Sequence, residues 1–424
     1  MRATVRGVLL LLCLLALGRL VATAFAYGIP AWFDEELNPL FNLLTRGQPI
    51  SQIDARQYGV VVFLVLDPAV RLYGSDLSAL AMYAAAVSLV ASLVGFALIA
   101  WRYARDDLGR VLLLGVAWFS AVPLLYVVAQ HMVDAWQLCF IAASLFLLTG
   151  STRQQRLAGL PLAAATMTKL LPGFLLFYLC LRKWRSGALG IAGIIVLLAI
   201  GQVLYGPLIG FGYPFAVLGG GGDTIARWST HFENNSIRGM VFKLAAGFRL
   251  QGNTTTYVLD PGWYPWLSAL SYALLVALVG YLLWVVWRSR ADGSSERISL
   301  EFGLASVTML LISPHTAQDY LVTVLPVLGV WLYLWSKHWP RAWTLGQVLL
   351  TLAAAVLIGV FVPMNVVARV IPFNALVTLT HNGQNALFAD QIGNAIGAYD
   401  FFGLPGLGLL LAWLALMRLE RKAR

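Results

Sequence analysis

The sequence predicts an all-α protein, a polytopic membrane helical bundle with about 12 membrane segments, both termini in the cytoplasm and long outer loops. Three observations lead to this prediction. Hydrophobic residues make up 60% of the 424 residues and charged residues only 11%, whereas roughly a quarter of the residues in a soluble domain are charged. Apolar runs of membrane-spanning length recur along the chain. The basic residues between these runs are concentrated in alternate loops.

Ten apolar runs approach the length of about 20 residues that a helix needs to cross the hydrocarbon core of a bilayer. They lie at 7–25, 78–100, 111–128, 134–150, 188–206, 264–287, 299–314, 320–336, 344–362 and 403–419. Arg19 interrupts the first run, which favours an uncleaved first helix over a signal peptide ending at Ala26. The three cysteines lie inside apolar runs and are interpreted as small apolar residues in helices.

The stretch 157–181 predicts a hairpin of two short helices rather than one span. Basic residues flank it on both sides: Arg153 and Arg156 precede it, and Arg182, Lys183 and Arg185 follow it. If both flanks are cytoplasmic, the chain must turn back within the membrane, and we expect Lys169 and Pro172 near that turn. The hairpin brings the predicted number of membrane segments to about 12.

The lysines and arginines support this topology. Of the 29, nineteen fall in the proposed inner loops and termini, eight in the outer loops, and Arg19 and Lys169 within membrane segments. Positive charge favours the cytoplasmic side, so both termini are predicted to be cytoplasmic. The net charge of +10 is thereby explained without a nucleic-acid partner. The absence of Walker, GxSxG, kinase and dinucleotide motifs argues against soluble nucleotide chemistry.

Three long outer loops, at about 26–77, 207–263 and 363–402, predict a site at the membrane surface. Within the first loop, the apolar stretch 58–73 is broken by Asp67 and Pro68 and predicts a re-entrant or interfacial helix. The second loop carries four consecutive glycines, Gly219 to Gly222, which predict a hinge. The whole chain, 1–424, is interpreted as a single domain.

Three adjacent acids follow the first helix: Asp34, Glu35 and Glu36. They fit either a solvated loop or a catalytic carboxylate near lipid head groups, since neighbouring carboxylates raise one another's pKa and suit a general base. Lys169 lies in an apolar segment, where an ammonium group is costly. It can either snorkel to the interface or meet a phosphate at the outer face.

Two His–Asp pairs lie at the predicted outer ends of helices: His131 with Asp134, and His315 with Asp319. Their spacing allows each pair to share a helix face, as a metal site or as polar caps. Because a metal site needs both pairs to meet in the fold, we predict no metal and no cofactor. The second outer loop collects further polar residues: Arg227, His231, Glu233, Asn234, Asn235, Arg238 and Lys243. Ser236 can cap a helix there, and a phosphate is the simplest partner for the basic residues.

The chain resembles glycosyltransferase family 87 in a series of short matches. These are Ala129-Gln130, Ala158-Gly159-Leu160 through Thr168-Lys169-Leu170-Leu171-Pro172, Arg182-Lys183-Trp184-Arg185, Asn235-Ser236, Ser313-Pro314, Asp319-Tyr320 and Leu325-Pro326. Where the family has Gly-Gln-x-Asn, this chain has Ala129-Gln130-His131-Met132. Where the family has Tyr-Pro-Pro, it has Tyr58-Gly59-Val60.

The resemblance implies a C-type membrane glycosyltransferase that uses a polyprenyl-phosphate sugar. It implies inverting transfer of a glycosyl group, mannosyl above arabinofuranosyl, to a lipid-linked or glycan acceptor on the outer face of the inner (plasma) membrane. Asp34 would then be the catalytic base, with Glu35 and Glu36 as rivals, and a phosphate leaving group needs no general acid. Phosphate-binding residues would be Lys169, Arg227 and Arg238, and substrate-binding residues would be Gln130, His131, Asn235, His315 and Asp319.

Two other classes of function remain possible at this stage. A transporter, flippase or ligase of lipid-linked sugars would share the membrane bundle and its cationic groups, but a transporter would need charges near the midplane and usually internal repeats. A scaffold without chemistry would leave the acidic cluster and the basic outer loop unexplained.

Overall fold

The computed structural model describes residues 3–26, 58–74, 76–218, 228–249, 256–338, 344–360, 362 and 399–422. The predicted catalytic carboxylates Asp34 and Glu35, the neighbouring Glu36, the predicted phosphate ligand Arg227 and the glycines 219–222 lie outside these residues.

The described chain is helical, which confirms the predicted all-α fold. Its helices are α1 Ala3–Ala26, α2 Val60–Tyr73, α3 Leu77–Tyr103, α4 Leu108–Phe119, α5 Val122–Ala129, α6 Asp134–Leu148, α7 Thr152–Leu157, α8 Gly159–Thr166, α9 Gly173–Arg182, α10 Trp184–Tyr205, α11 Tyr213–Leu218, α12 Ile237–Ala246, α13 Tyr264–Arg288, α14 Ser295–Ile312, α15 Gln318–Leu321, α16 Leu325–His338, α17 Leu345–Ile358 and α18 Leu404–Lys422. A short 3₁₀ turn at Val322–Val324 joins α15 to α16.

Five helices of the described chain are long and apolar enough to cross a membrane. They are Thr4–Phe25, Leu77–Tyr103, Trp184–Tyr205, Pro261–Arg288 and Gln318–Lys337. A sixth span results if α4 and α5, which meet at a 55° bend, cross together. The most apolar 18-residue windows of α1 and α10 are only 17% and 22% buried. Their exposed apolar side chains are compatible with lipid and not with water, which confirms a multi-pass membrane protein.

The centre of the bundle is α14, in which every residue from Arg297 to Leu311 is buried. It packs against α18, α13, α9 and α16. Because α14 is enclosed by other helices, its polar residues need partners within the protein. At its first turns, Arg297 pairs with Glu301 at 3.0 Å and with Glu420 at 2.7 Å.

The predicted hairpin in the stretch 157–181 is confirmed. Helices α8 and α9 pack against each other and are joined by residues 167–172. The far end of α9 is fixed by Arg182, which donates to the carbonyl of Arg290 at 3.1 Å and pairs with Glu301 at 2.7 Å. The turn itself lies at the other end of the bundle, where Lys169 meets the start of α6. We call the end with this turn the loop end and the end with Arg182 the opposite end.

The predicted apolar helix of the first outer loop is present as α2, which starts at the hairpin turn. The amide of Gly59 donates to the carbonyl of Thr168 and that of Val61 to the carbonyl of Met167, both at 3.0 Å. A β-carbon on Gly59 would lie 2.3 Å from the Met167 oxygen, so only glycine permits this approach. The close contact fixes the start of α2 beside Lys169.

Candidate functional site

Lys169 forms the centre of a buried ion cluster at the loop end. Its ammonium lies 2.7 Å from Asp134 Oδ2 and 3.1 Å from Asp319 Oδ2. The side chain of Asp134 is fully buried, and those of Lys169 and Asp319 are only 13% and 12% exposed. Tyr320 lies with its ring centroid 4.8 Å from the ammonium. The lysine therefore joins the starts of α6 and α15 across the hairpin turn.

The hairpin turn holds Lys169 in place through its backbone. Gln137, buried in α6, donates from its amide nitrogen to the carbonyls of Ala165 and Lys169 at 3.1 and 3.0 Å. The carbonyl of Ala165, in the last turn of α8, also accepts from the backbone amides of Thr168 and Lys169 at 3.2 and 3.3 Å. The Gln137 side chain on α6 thus donates hydrogen bonds to the hairpin turn that carries Lys169.

In the first of the two His–Asp pairs considered from the sequence, His131 and Asp134 contact different partners in the structure. The Nε2 atom of His131 lies 3.2 Å from the carbonyl of Ala24 in α1, whereas Asp134 binds Lys169. His131 adopts a left-handed backbone conformation, with φ of 56°, in the turn that follows α5. Gln130, which ends α5, lies half-buried next to it.

A second segment, residues 228–236, is joined to the loop after α14 by one buried side chain. The side-chain amide nitrogen of Asn234, Nδ2, donates to the carbonyls of Trp228 and Pro314, both at 2.9 Å. Its Oδ1 accepts from the amides of Ser236 and Thr316 at 3.0 and 3.1 Å. All four hydrogen-bonding positions of the side chain are used, so Asn234 fixes the two loops relative to each other.

These two loops bring His231, Glu233 and His315 together. One potential ligand atom from each residue lies within 4.8 Å of the other two. The Trp228 ring packs against the His315 ring at a centroid distance of 4.3 Å. The two imidazole rings are 5.8 Å apart and nearly perpendicular, at 88°. The sequence places His231 and Glu233 in one polar outer loop and His315 in another, and the fold brings the two loops together.

Burial sets the protonation of this group. Desolvation lowers the pKa of His315, and the nearby charges of Lys243 and Lys169 lower it further, so the imidazole is neutral at neutral pH. Desolvation raises the pKa of Glu233, with contributions from the neighbouring carboxylates of Asp400 and Asp319. Negative charge in this region is therefore costly.

A third part of the site connects α12 with the segment before α18. The ammonium of Lys243 donates to the backbone carbonyl of Asp400. The Asp400 carboxylate accepts from the side-chain amides of Asn235, at 2.5 Å, and Gln318, at 3.2 Å. Burial lowers the pKa of Lys243 and raises that of Asp400. Asp400 was not predicted from the sequence, where its only signal is an acid directly before an apolar run.

Arg238, predicted as a phosphate ligand, lies in a more enclosed position. Its guanidinium donates to the hydroxyls of Tyr264 and Ser268, both at 3.2 Å, and to the hydroxyl of Ser229. The ring of Tyr272 lies 5.2 Å from it. Arg238 thus connects α12 to α13, whereas Lys169, Asp319, Asn235 and His315 belong to the connected polar region described above.

The fold and site define a polytopic membrane protein with a buried polar region, rich in acids and lysines, at one end of its helices. The family model of glycosyltransferase family 87 matches residues 58–314 of the chain. This match covers more than half of the sequence, and the protein belongs to glycosyltransferase family 87. It is therefore a membrane glycosyltransferase.

Two solved structures are similar to the chain at low identity. The apo structure of ArnT from Cupriavidus metallidurans has a TM-score of 0.48 and 17% identity, covering 98% of this chain and 78% of ArnT. The structure of the same protein bound to undecaprenyl phosphate has a TM-score of 0.48 and 16% identity, covering 100% of this chain and 79% of ArnT. No curated protein matches the sequence significantly.

Proposed function

We propose that the protein transfers a glycosyl group, in first place mannosyl, from a polyprenyl-phosphate donor to a lipid-linked or glycan acceptor. The observation that carries this proposal is the position of Lys169. Its ammonium lies in a polar region at one end of a bundle whose long helices expose apolar side chains. A lipid phosphate combines a charged head with an apolar tail, and this arrangement offers a place to both.

The proposed reaction needs one carboxylate. Asp34, with Glu35 as the alternative, takes the proton of the acceptor hydroxyl while its oxygen attacks the anomeric carbon of the donor. The bond between that carbon and the phosphate oxygen breaks, and polyprenyl phosphate leaves with the electron pair. Attack opposite the leaving group inverts the anomeric configuration. The phosphate is a good leaving group, so the second carboxylate of a glycosidase has no counterpart here.

Cationic groups stabilise the charge that develops on the departing phosphate. We assign this role to Lys169, Arg227 and Arg238. Lys169 is shared by two carboxylates, so donor binding would change how its hydrogen bonds are distributed. We assign substrate binding to Gln130, His131, Asn235, His315 and Asp319.

The positive-inside rule supports an outer location for the site. Arg182 and Arg290 lie at the opposite end of the bundle from Lys169, and both belong to loops counted as inner. The loop end would then face the periplasm or the exterior, with the chain in the inner (plasma) membrane.

The test is transfer of radiolabelled mannose from a polyprenyl-phosphate donor to endogenous lipid acceptors in membranes that contain the protein. Asp34→Asn should abolish transfer without changing the amount of folded protein. Asp106→Asn is the matched control, because the Asp106 side chain is 84% exposed beyond the end of α3. Retained turnover in Asp34→Asn would exclude that residue as the base. If mannosyl, arabinofuranosyl and other polyprenyl-phosphate donors all give no transfer with folded protein, the transferase proposal is wrong and a lipid-flipping assay follows.

A further inference from the structure

Of the three clustered residues His231, Glu233 and His315, the mechanism proposed above uses only His315, as a substrate-binding residue. We propose that these three residues bind one divalent transition-metal ion of the Zn²⁺ type, with a remaining coordination position directed to a phosphate oxygen of the donor. The second part of this statement rests on the proposed function. The first part, metal binding, stands independently of it.

The three donors are those that Zn²⁺ prefers. Two imidazole nitrogens and one carboxylate oxygen form a three-residue set that leaves a fourth tetrahedral position open. The ligand atoms now lie within 4.8 Å of one another, and tetrahedral coordination at about 2.1 Å places them about 3.4 Å apart. A contraction of at most about 1.4 Å is needed, which small side-chain rotations of Glu233 and the two imidazoles can supply.

Among the described residues, one imidazole nitrogen of His315 is buried without a hydrogen-bond partner. Within the described chain, His315 Nε2 has almost no contact with solvent and no hydrogen-bond partner. A buried imidazole nitrogen normally finds a donor, an acceptor or a metal ion. Coordination of a metal ion through Nε2 would satisfy this atom. His315 is already held elsewhere, by the Trp228 ring at 4.3 Å and by hydrogen bonds between its backbone and the Ser313 hydroxyl.

The backbone around the cluster is fixed before any ion binds. Asn234 joins the loops that carry His231 and His315 through four hydrogen bonds. The amide of Asn235 adds a fifth, to the carbonyl of Thr316 at 2.7 Å. Residues that orient ligands in this way are a regular component of metal sites, since they reduce the loss of conformational entropy on binding.

The polar region around the cluster is rich in carboxyl groups. Among the residues described at the loop end these are Asp134, Glu233, Asp319 and Asp400, and the cationic side chains are Lys169, Lys243 and the enclosed Arg238. A donor phosphate would add further negative charge. A divalent ion bound at this cluster would make the region more receptive to an anion.

The position of Tyr320 connects the proposed ion with Lys169. Its ring centroid lies 4.8 Å from the Lys169 ammonium and 6.4 Å from the centroid of the His315 ring. The metal ligand and the ammonium are therefore neighbours of the same aromatic side chain. A phosphate group between them could accept from Lys169 and coordinate the ion at the same time.

Metal binding is tested on the full-length protein, purified in detergent without a polyhistidine tag, stripped with a chelator and reloaded with Zn²⁺. We expect about one tightly bound ion per chain by elemental analysis and an increased melting temperature. His231→Ala, Glu233→Gln and His315→Ala should each weaken Zn²⁺ binding at least about tenfold. The control is His338→Ala, a histidine at the far end of α16. It should bind Zn²⁺ as the wild type does.

Several results would overturn the proposal. Wild-type protein that retains no more Zn²⁺ than the Glu233→Gln variant has no such site. Glu233→Gln preserves size and shape, so its loss of binding with an unchanged melting temperature of the metal-free form would exclude misfolding as the cause. Metal binding without glycosyl transfer would contradict the proposed function but not the proposal that these residues bind a metal ion. Transfer that proceeds equally well in the chelated protein would refute the role of the ion in donor binding.

Discussion

The ammonium of Lys169 lies 2.7 Å from the carboxylate of Asp134, which precedes it by 35 positions, and joins the hairpin turn to α6. Asp134 is fully buried, so its charge depends on this partner. We expect Asp134→Asn to destabilise the protein by about 3–5 kcal/mol, because it leaves a buried ammonium with one carboxylate instead of two. Thermal unfolding in detergent measures this.

The control for Asp134→Asn is an exposed ion pair at the opposite end of the bundle. Lys337 and Glu296 also lie 2.7 Å apart, but their side chains are 49% and 22% exposed. Glu296→Gln should change stability by less than about 1 kcal/mol. Equal effects of Asp134→Asn and Glu296→Gln would show that the buried ion cluster is not important for stability.

Lys169→Met should reduce glycosyl transfer by about 10²–10³-fold if its ammonium stabilises the departing phosphate. Methionine retains most of the length and apolar contact of the lysine stem but removes the charge. Lys337→Met is the matched control, because it makes the same change in a lysine far from the site. Transfer by Lys169→Met at the rate of Lys337→Met would remove Lys169 from the phosphate-binding assignment.

Asn234→Ala should lower the free energy of unfolding by about 2–4 kcal/mol. It leaves the carbonyls of Trp228 and Pro314 and the amides of Ser236 and Thr316 without their present partner, in a buried position. Denaturation experiments on the purified protein measure the change. Gln154→Ala, in the exposed capping box of α7, serves as control and should cost about 1 kcal/mol or less. A cost for Asn234→Ala no larger than this would contradict the coupling of the two loops.

Gly59→Ala should separate the start of α2 from the hairpin turn. The new methyl group would meet the Met167 carbonyl oxygen at 2.3 Å, and neither backbone segment can absorb this without moving. We expect a loss of stability and of transfer activity together. Gly280→Ala, in α13, is the control: its β-carbon meets nothing within 4 Å, and a helical alanine should be neutral or stabilising by up to about 1 kcal/mol. Wild-type behaviour of Gly59→Ala would mean that this close approach is not needed.

The helices could be predicted from the sequence because bilayer thickness fixes their length and lipid fixes their composition. The hairpin could be predicted because basic residues precede and follow it. The positive-inside rule depends on the charge of the loops and not on how the helices pack. The structure confirms α8 and α9 with their turn at residues 167–172. The total of about 12 segments and the cytoplasmic location of both termini stay predictions.

The site could be predicted only in part. Lys169 attracted attention because an ammonium in an apolar segment is costly whatever its partner. Its partners could not be predicted, since Asp319 lies 150 positions away and only helix packing brings them together. The same applies to Asp400, which meets Asn235 across 165 positions. Local spacing instead suggested pairing His131 with Asp134, but the turn after α5 directs His131 towards α1.

The wide separation of the partners of Lys169 has a consequence for biogenesis. During synthesis the hairpin enters the membrane with Asp134 already present, whereas Asp319 is added 150 residues later. At roughly 5–20 residues per second, this delay is about 8–30 seconds. For that time the lysine has only one of its two counter-ions, and Asp134 must keep the nascent hairpin in the bilayer. A ribosome stalled before residue 319 should therefore leave an insertion intermediate that depends on Asp134 alone.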